Sequence, residues 1–111
     1  MTKNTFPDVI ESAQEYGWKI PVKISGSAWE AVIRPRPGEI QAERIQLLMT
    51  ALTRAARGQK RQFIRFLVPA TPFRPSDYPM VAGLFGKGTG SRYVEIFLLS
   101  EVGAMVKHDR G

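Results

Sequence analysis

The sequence predicts an α+β fold in which N-terminal helices pack on a small three- to four-stranded antiparallel sheet. Three observations carry that prediction. Residues 39–57 hold the longest helical pattern, with Ile45, Leu48, Met49, Leu52, Ala55 and Ala56 recurring at three and four residues. Residues 61–68 and 93–99 alternate with a period of two, the spacing of a strand. Residues 80–85 and the last strand are joined through Gly86-Lys87-Gly88-Thr89-Gly90, the glycine-rich connection that a bulged or longer hairpin turn requires.

Taken in order, residues 7–16 predict a first helix. Pro7 suits its first turn, where the missing N–H is not needed, and Asp8 and Glu11 sit at the positive end of its dipole. Gly17 offers a left-handed stop. Residues 18–24 alternate Trp18, Ile20, Val22 and Ile24 with Lys19, Pro21 and Lys23, and Pro21 makes this an edge strand or an extended connector. Ser27 and Glu30 have capping-box spacing and predict the start of a second helix at Ser27, with Trp29, Val32 and Ile33 as its apolar stripe. Pro35 and Pro37 end it. The main helix follows and stops at Gly58. In the strand over 61–68, Ile64, Phe66 and Val68 are expected to face the core, with Arg61, Phe63, Arg65 and Leu67 turned the other way. Pro72, Pro75 and Pro79 mark residues 70–79 as a loop. The core candidates are Leu48, Leu52, Ile64, Phe66, Val94, Ile96 and Leu98. Residues 1–100 are expected to form one domain and residues 101–111 a flexible tail.

Charge is unevenly placed along the 111 residues. Residues 1–43 carry five basic and six acidic groups, and residues 44–111 carry eleven basic and four acidic ones. Between Arg44 and Ser76 there are seven arginines and lysines and no acid. A basic half beside a near-neutral half points to a polyanionic or acidic partner. There is no cysteine, which excludes disulfides and thiolate metal sites. No apolar run approaches the roughly 18 residues of a membrane span, and residues 1–6 lack the apolar segment of a signal peptide. A cytoplasmic protein without a membrane partner is the expectation.

Catalytic constellations are sparse. The single histidine, His108, falls in the expected tail, so a nucleophile has no base to activate it. One histidine and scattered carboxylates do not make a metal site. Glu11 with Glu15, and Glu39 with Glu43, stand one helical turn apart, where exposed carboxylates only repel mildly. The glycine stretch fails as a phosphate loop, because Gly86-Lys87 is followed by Gly88 and position 81 is Val81. No cofactor, no metal, no small-molecule substrate and no enzymatic activity are expected.

The basic set carries the functional signal. Arg54, Arg57, Lys60, Arg61 and Arg65 cross the junction from the main helix to the first strong strand, and Arg34, Arg36, Lys87 and Arg92 can extend the patch. Phe63 alternates with Arg61 and Arg65, and Tyr93 or Phe97 can join the same face if the strands pair. Aromatics among arginines on an open sheet can stack bases. The same rings can instead fill a core or a protein interface. Trp18 and Trp29 read first as core residues.

The runs Tyr16-Gly17-Trp18-Lys19-Ile20-Pro21-Val22 and Ser27-Ala28-Trp29, then Leu67-Val68-Pro69, the glycine-rich turn and the aliphatic last strand, resemble a family of uncharacterised small bacterial proteins. These are commonly carried on plasmids and other mobile elements. The likeness spans most of residues 8–99 and departs from the family at the hairpin turn, where Lys87 and Thr89 replace an acidic pair. The resemblance implies no activity and no catalytic residues. It implies a mobile-element context, and with it a small non-enzymatic binding protein that docks through its basic surface on a nucleoprotein complex. An inhibitor of a host defence system, anti-CRISPR-like or anti-restriction-like, would act in this way. The alternative is direct nucleic-acid binding in a regulatory or plasmid-maintenance role. The five-residue proline loop before the main helix is too stiff and long for a helix-turn-helix.

Overall fold

A computed structural model of the chain describes residues 13–58, 61–86 and 92–102. Its centre is a sheet of four strands, β1 (Val22–Ile24), β2 (Phe63–Val68), β3 (Tyr78–Phe85) and β4 (Tyr93–Leu98), in the order β1-β4-β3-β2. β2, β3 and β4 pair antiparallel, but β1 runs parallel to β4, so the sheet is mixed rather than antiparallel. The correction has a simple origin. No short turn links β1 to β4, so nothing local dictates their relative direction, and the intervening helices and strands supply the crossover that a parallel pair needs. β1 is the edge strand that Pro21 announces, although only three residues of the 18–24 run pair. The Pro21 carbonyl accepts the Val94 N–H at 2.9 Å, and the Ser25 N–H donates to the Ile96 carbonyl at 2.9 Å.

A helical turn at residues 13–15 closes on Gly17 in the left-handed region, φ 90°. The Trp18 N–H reaches the Ala13 carbonyl and the Gly17 N–H reaches the Gln14 carbonyl, the paired bonds of a Schellman stop. Residues 7–12 of the expected first helix lie outside the described residues. Helix α1 starts at Gly26–Ala28 and widens into a π-helical turn over Trp29–Ile33, with the Arg34 N–H bonded to the Trp29 carbonyl. Its cap is Ser25, not Ser27. The Ser25 Oγ accepts the Ala28 N–H at 3.1 Å, and Glu30 pairs with Arg34 at 2.7 Å instead of closing a capping box. Ser25 wins because its own N–H is still held by β4, so the chain turns into the helix directly from the sheet.

Helix α2 spans Gln41–Ala56 and lies on one face of the sheet, so the helices are not all N-terminal to it. Ile45, Leu48, Met49 and Leu52 are buried against Phe66, Val68, Met80, Ala82, Val94 and Ile96. Of the expected core, Ile64 and Leu98 are only half-buried. β3 starts at Tyr78, earlier than the expected residue 80. Pro79 is tolerated in this central strand because pairing with β4 begins only at Met80.

The loop between β2 and β3 is fastened by a buried ion network. Arg74, 2 % exposed, donates its Nε and Nη2 to the two Glu39 carboxylate oxygens at 2.8 and 2.9 Å. Its remaining N–H groups reach the Ala31 carbonyl at 2.6 Å, the Arg34 carbonyl at 2.7 Å and the Tyr78 hydroxyl at 3.2 Å. Hydrogen bonds from Arg74 hold the Glu39 carboxyl down at about 2, helped by the Arg36 N–H. Arg44 is equally buried, and its Nε donates to the Val32 carbonyl at 2.8 Å, while its two terminal nitrogens have no acceptor among the described residues. Burial, then the neighbouring Arg74 charge, pushes the Arg44 guanidinium down.

Residues 101 and 102, the first of the expected tail, belong to a helical turn. Residues 99–102 form a helical turn, and the Glu101 Oε1 accepts both the Ser25 hydroxyl at 2.8 Å and the Leu98 N–H at 2.9 Å. Residues 103–111, His108 among them, lie outside the described residues.

Candidate nucleic-acid interface

Strand alternation divides the sheet into two surfaces. One carries Ile64, Phe66, Met80, Ala82, Val94 and Ile96 and is closed by the helices. The other carries Phe63, Arg65 and Leu67 on β2, Val81, Gly83 and Phe85 on β3, Tyr93, Glu95 and Phe97 on β4, and Lys23 on β1. Among the described residues, only the turn at 99–102 packs on this second face, placing Val102 against Val81.

Four rings form a connected cluster there. Phe85 stands at the centre, 6.0 Å from Phe63, 5.8 Å from Tyr93 and 6.2 Å from Phe97. Gly83 makes room for it. A Cβ at that position would lie 2.7 Å from the Phe85 ring and 2.9 Å from the Phe63 ring, so both rings close over bare backbone. All four rings are half-buried and keep part of their surface in solvent. The Lys23 Nζ lies 4.4 Å from the Tyr93 centroid, a cation–π contact at one border of the cluster. Arg65, exposed, stands in the cross-strand row that continues through Val81 to Phe97, at the other border. Glu95 is the acid on this face, directly opposite Lys23 in the register.

The basic residues singled out by the sequence fall on both sides of the sheet. Arg54 and Arg57 belong to the helical layer, on the far side of the sheet from Arg65. Arg54 borders a groove with Tyr16, Thr50, Phe66 and Leu67, and Arg57 lies beside Trp18, Lys19 and Thr53. Arg61 precedes the strand, so its expected alternation with Phe63 and Arg65 does not hold. It meets Arg92 at a cavity of about 380 Å³ walled by Trp18, Ile20, Ile64, Leu84 and Val94. Lys60 and Lys87 lie outside the described residues. Arg34 is paired with Glu30, and the Arg36 guanidinium reaches the Tyr78 hydroxyl at 3.4 Å. Arg57 and the pair Arg61 and Arg92 thus line two adjoining cavities that share Trp18 and Ala56, Arg54 lines the groove beside β2, and Arg65 stands on the other face of the sheet. What the structure does bring together is the aromatic set, Phe63, Tyr93 and Phe97, with Arg65.

Two members of the cluster escaped the sequence reading. Phe85 ends a strand whose faces cannot be assigned until its register with β2 and β4 is known. Lys23 lies on a segment whose neighbour in the sheet is distant in sequence. The signal for Phe85 was the alternation Val81-Gly83-Phe85, in which a glycine flanks an aromatic.

Of the carboxylate pairs, Glu39 is consumed by the Arg74 network, Glu15 and Glu43 are exposed, and Glu11 lies outside the described residues. Among the described residues, no group of three or more His, Asp or Glu is placed to hold a metal ion, and no helix is long and apolar enough to cross a membrane. No protein-family model, curated protein or solved structure matches the chain.

Proposed function

We propose that the protein is a non-enzymatic binding protein that takes single-stranded nucleic acid onto the second face of its sheet, either free or as an exposed strand of a nucleoprotein complex. The observation that carries the reading is the cluster Phe63–Phe85–Tyr93–Phe97, bordered by Lys23 and Arg65 on a face where, among the described residues, only the turn at 99–102 packs. Base stacking on such rings contributes about 1–3 kcal/mol per base and tolerates any sequence. In this reading the border cations Lys23 and Arg65 neutralise phosphates while the bases lie on the rings. Docking on the nucleoprotein machinery of a host defence system is one use of such a surface, and it requires the same contacts.

Fluorescence anisotropy with labelled single-stranded DNA and RNA at low and moderate salt tests the reading. Binding should weaken as salt rises, because phosphate neutralisation releases counterions. Phe85→Ala and Tyr93→Ala should each weaken it by roughly 5- to 150-fold, the equivalent of one lost stacking contact. Failure to bind any oligonucleotide at low salt, or full binding by Phe85→Ala, removes this face from consideration.

A further inference from the structure

The lateral edge of β2 is a second surface, separate from the aromatic face. The Leu84 N–H bonds to the Gln62 carbonyl at 2.9 Å. With the β2–β3 register, this places the remaining bonded pairs at Ile64–Ala82, Phe66–Met80 and Val68–Tyr78. The N–H and C=O groups of Phe63, Arg65 and Leu67 therefore point away from β3, and β2 is the last strand on that side of the sheet. Among the described residues none pairs with them. Exposed edges are usually blunted with lysines, prolines or bulges. Inside β2 only Arg65 serves that purpose, and Leu67 is 53 % exposed.

A groove runs beside this edge, between β2 and α2. Its α2 wall includes a stripe with Glu43 at one end, Leu47 and Ala51 in the middle and Arg54 towards the other end, and Tyr16 lies on its rim. Read in reverse, this stripe is complementary to itself. A two-fold axis at its midpoint would set Glu43 of each copy against Arg54 of the other, with Leu47 against Ala51. The edge strand requires the same axis. Leu67 lines the same groove as Leu47 and Ala51, and Ala56 and Ile64, which share a cavity, serve as a common origin for the two elements. From Ile64 to Leu67 is about 10 Å of strand. The same rise takes about seven residues of helix back from Ala56, which reaches Met49, the middle of the stripe.

We propose that the β2 edge and its groove bind a second copy of this chain about a two-fold axis near Leu67, making one continuous sheet across the dimer. Leu67 pairs with the second copy's Leu67, and the Arg65 N–H finds the second copy's Pro69 carbonyl. The two Arg65 side chains stay about 13 Å apart along the strands, which avoids like-charge opposition. The aromatic faces of the two copies then lie on the same side of the joined sheet. The proposal stands whether or not those faces bind nucleic acid.

Sedimentation of the full chain across a micromolar concentration series, without nucleic acid, is the test. A monomer–dimer equilibrium is expected. Leu67→Pro removes an outward N–H and no bond of the β2–β3 ladder, so it should give a folded monomer. Glu43→Arg and Arg54→Glu should each weaken dimerisation by about tenfold, through two lost pairs and new repulsion. Combined, they restore the pairs with reversed sense and should recover the wild-type dimer. A wild-type chain that stays monomeric at 100 µM, taken as about the upper end of useful affinity, would overturn the proposal. So would a dimer indifferent to both charge changes, or single losses that the double variant does not repair.

Discussion

Replacing Arg74 by Met isolates the element that ties the proline loop to the helical layer. Arg74 is 2 % exposed and donates to both Glu39 carboxylate oxygens, to the Ala31 and Arg34 carbonyls and to the Tyr78 hydroxyl. Met keeps much of the apolar stem but leaves the buried carboxylate with the Arg36 N–H and the Arg44 Nε 3.9 Å away, and strands two main-chain carbonyls. Breaking a buried pair from one side typically removes about 3–5 kcal/mol. A domain of this size holds about 5–15 kcal/mol in all. The melting temperature, followed by circular dichroism, should therefore fall by about 10–20 °C. The acid limb gives a second reading. Glu39 titrates at about 2 in the folded chain against an ordinary 4.5. Its contribution is complete above the unfolded value and is lost as pH falls from about 4.5 towards 2. The gap between wild type and Arg74→Met should accordingly narrow over that window. Adding Glu39→Gln to Arg74→Met should recover part of the loss, since the orphaned charge is gone. A loss below about 1 kcal/mol, the size of an exposed ion pair, would refute the reasoning.

The other expectations follow the same logic. Arg44→Met should change stability by less than about 1 kcal/mol in either direction, because losing the bond to Val32 and the pairing with Glu39 at 3.9 Å is offset by removing a buried charge whose two terminal nitrogens lack an acceptor among the described residues; urea unfolding measures it. Ser25→Ala should lower stability by about 0.5–2 kcal/mol through the lost cap, with Ser27→Ala close to neutral, and paired urea melts decide which serine caps α1. Gly83→Ala should force the Phe85 and Phe63 rings off their positions, shifting the near-ultraviolet circular dichroism and weakening oligonucleotide binding together.

The antiparallel part of the sheet was legible because both of its links are short and its strands alternate cleanly. β1 was legible as an edge but not as a parallel partner of β4, since that pairing depends on residues more than seventy positions apart. The cap of α1 was misplaced for a similar reason. Ser27 has better local spacing, yet Ser25 is fixed by bonds to Ile96 and Glu101, which a local motif cannot weigh. The candidate site was half legible. Phe63, Arg65, Tyr93 and Phe97 follow from alternation, whereas Phe85 needs the register and Lys23 needs β1. Equal formal charge also hid unlike roles. Arg74 and Arg44 lie in the same acid-free stretch as Arg54, Arg61 and Arg65, but they are buried and structural, and nothing in composition distinguishes them.

Gly83 links the fold to the proposed surface. A glycine inside a strand destabilises by roughly 0.5–1 kcal/mol relative to alanine, through chain entropy alone. In a central strand, flanked by partners on both sides, it also gives up a packing side chain. Here the missing Cβ lets the Phe85 and Phe63 rings cover the backbone, and their mutual contacts fix the ring planes before any ligand arrives. Rings held in this way lose little freedom when a base stacks on them, and such preorganisation raises affinity without adding a contact. A face built only for packing would be served as well by a β-branched residue at position 83, with smaller neighbours. If Gly83→Ala left oligonucleotide binding intact while moving the rings, their placement would serve the sheet and not a ligand.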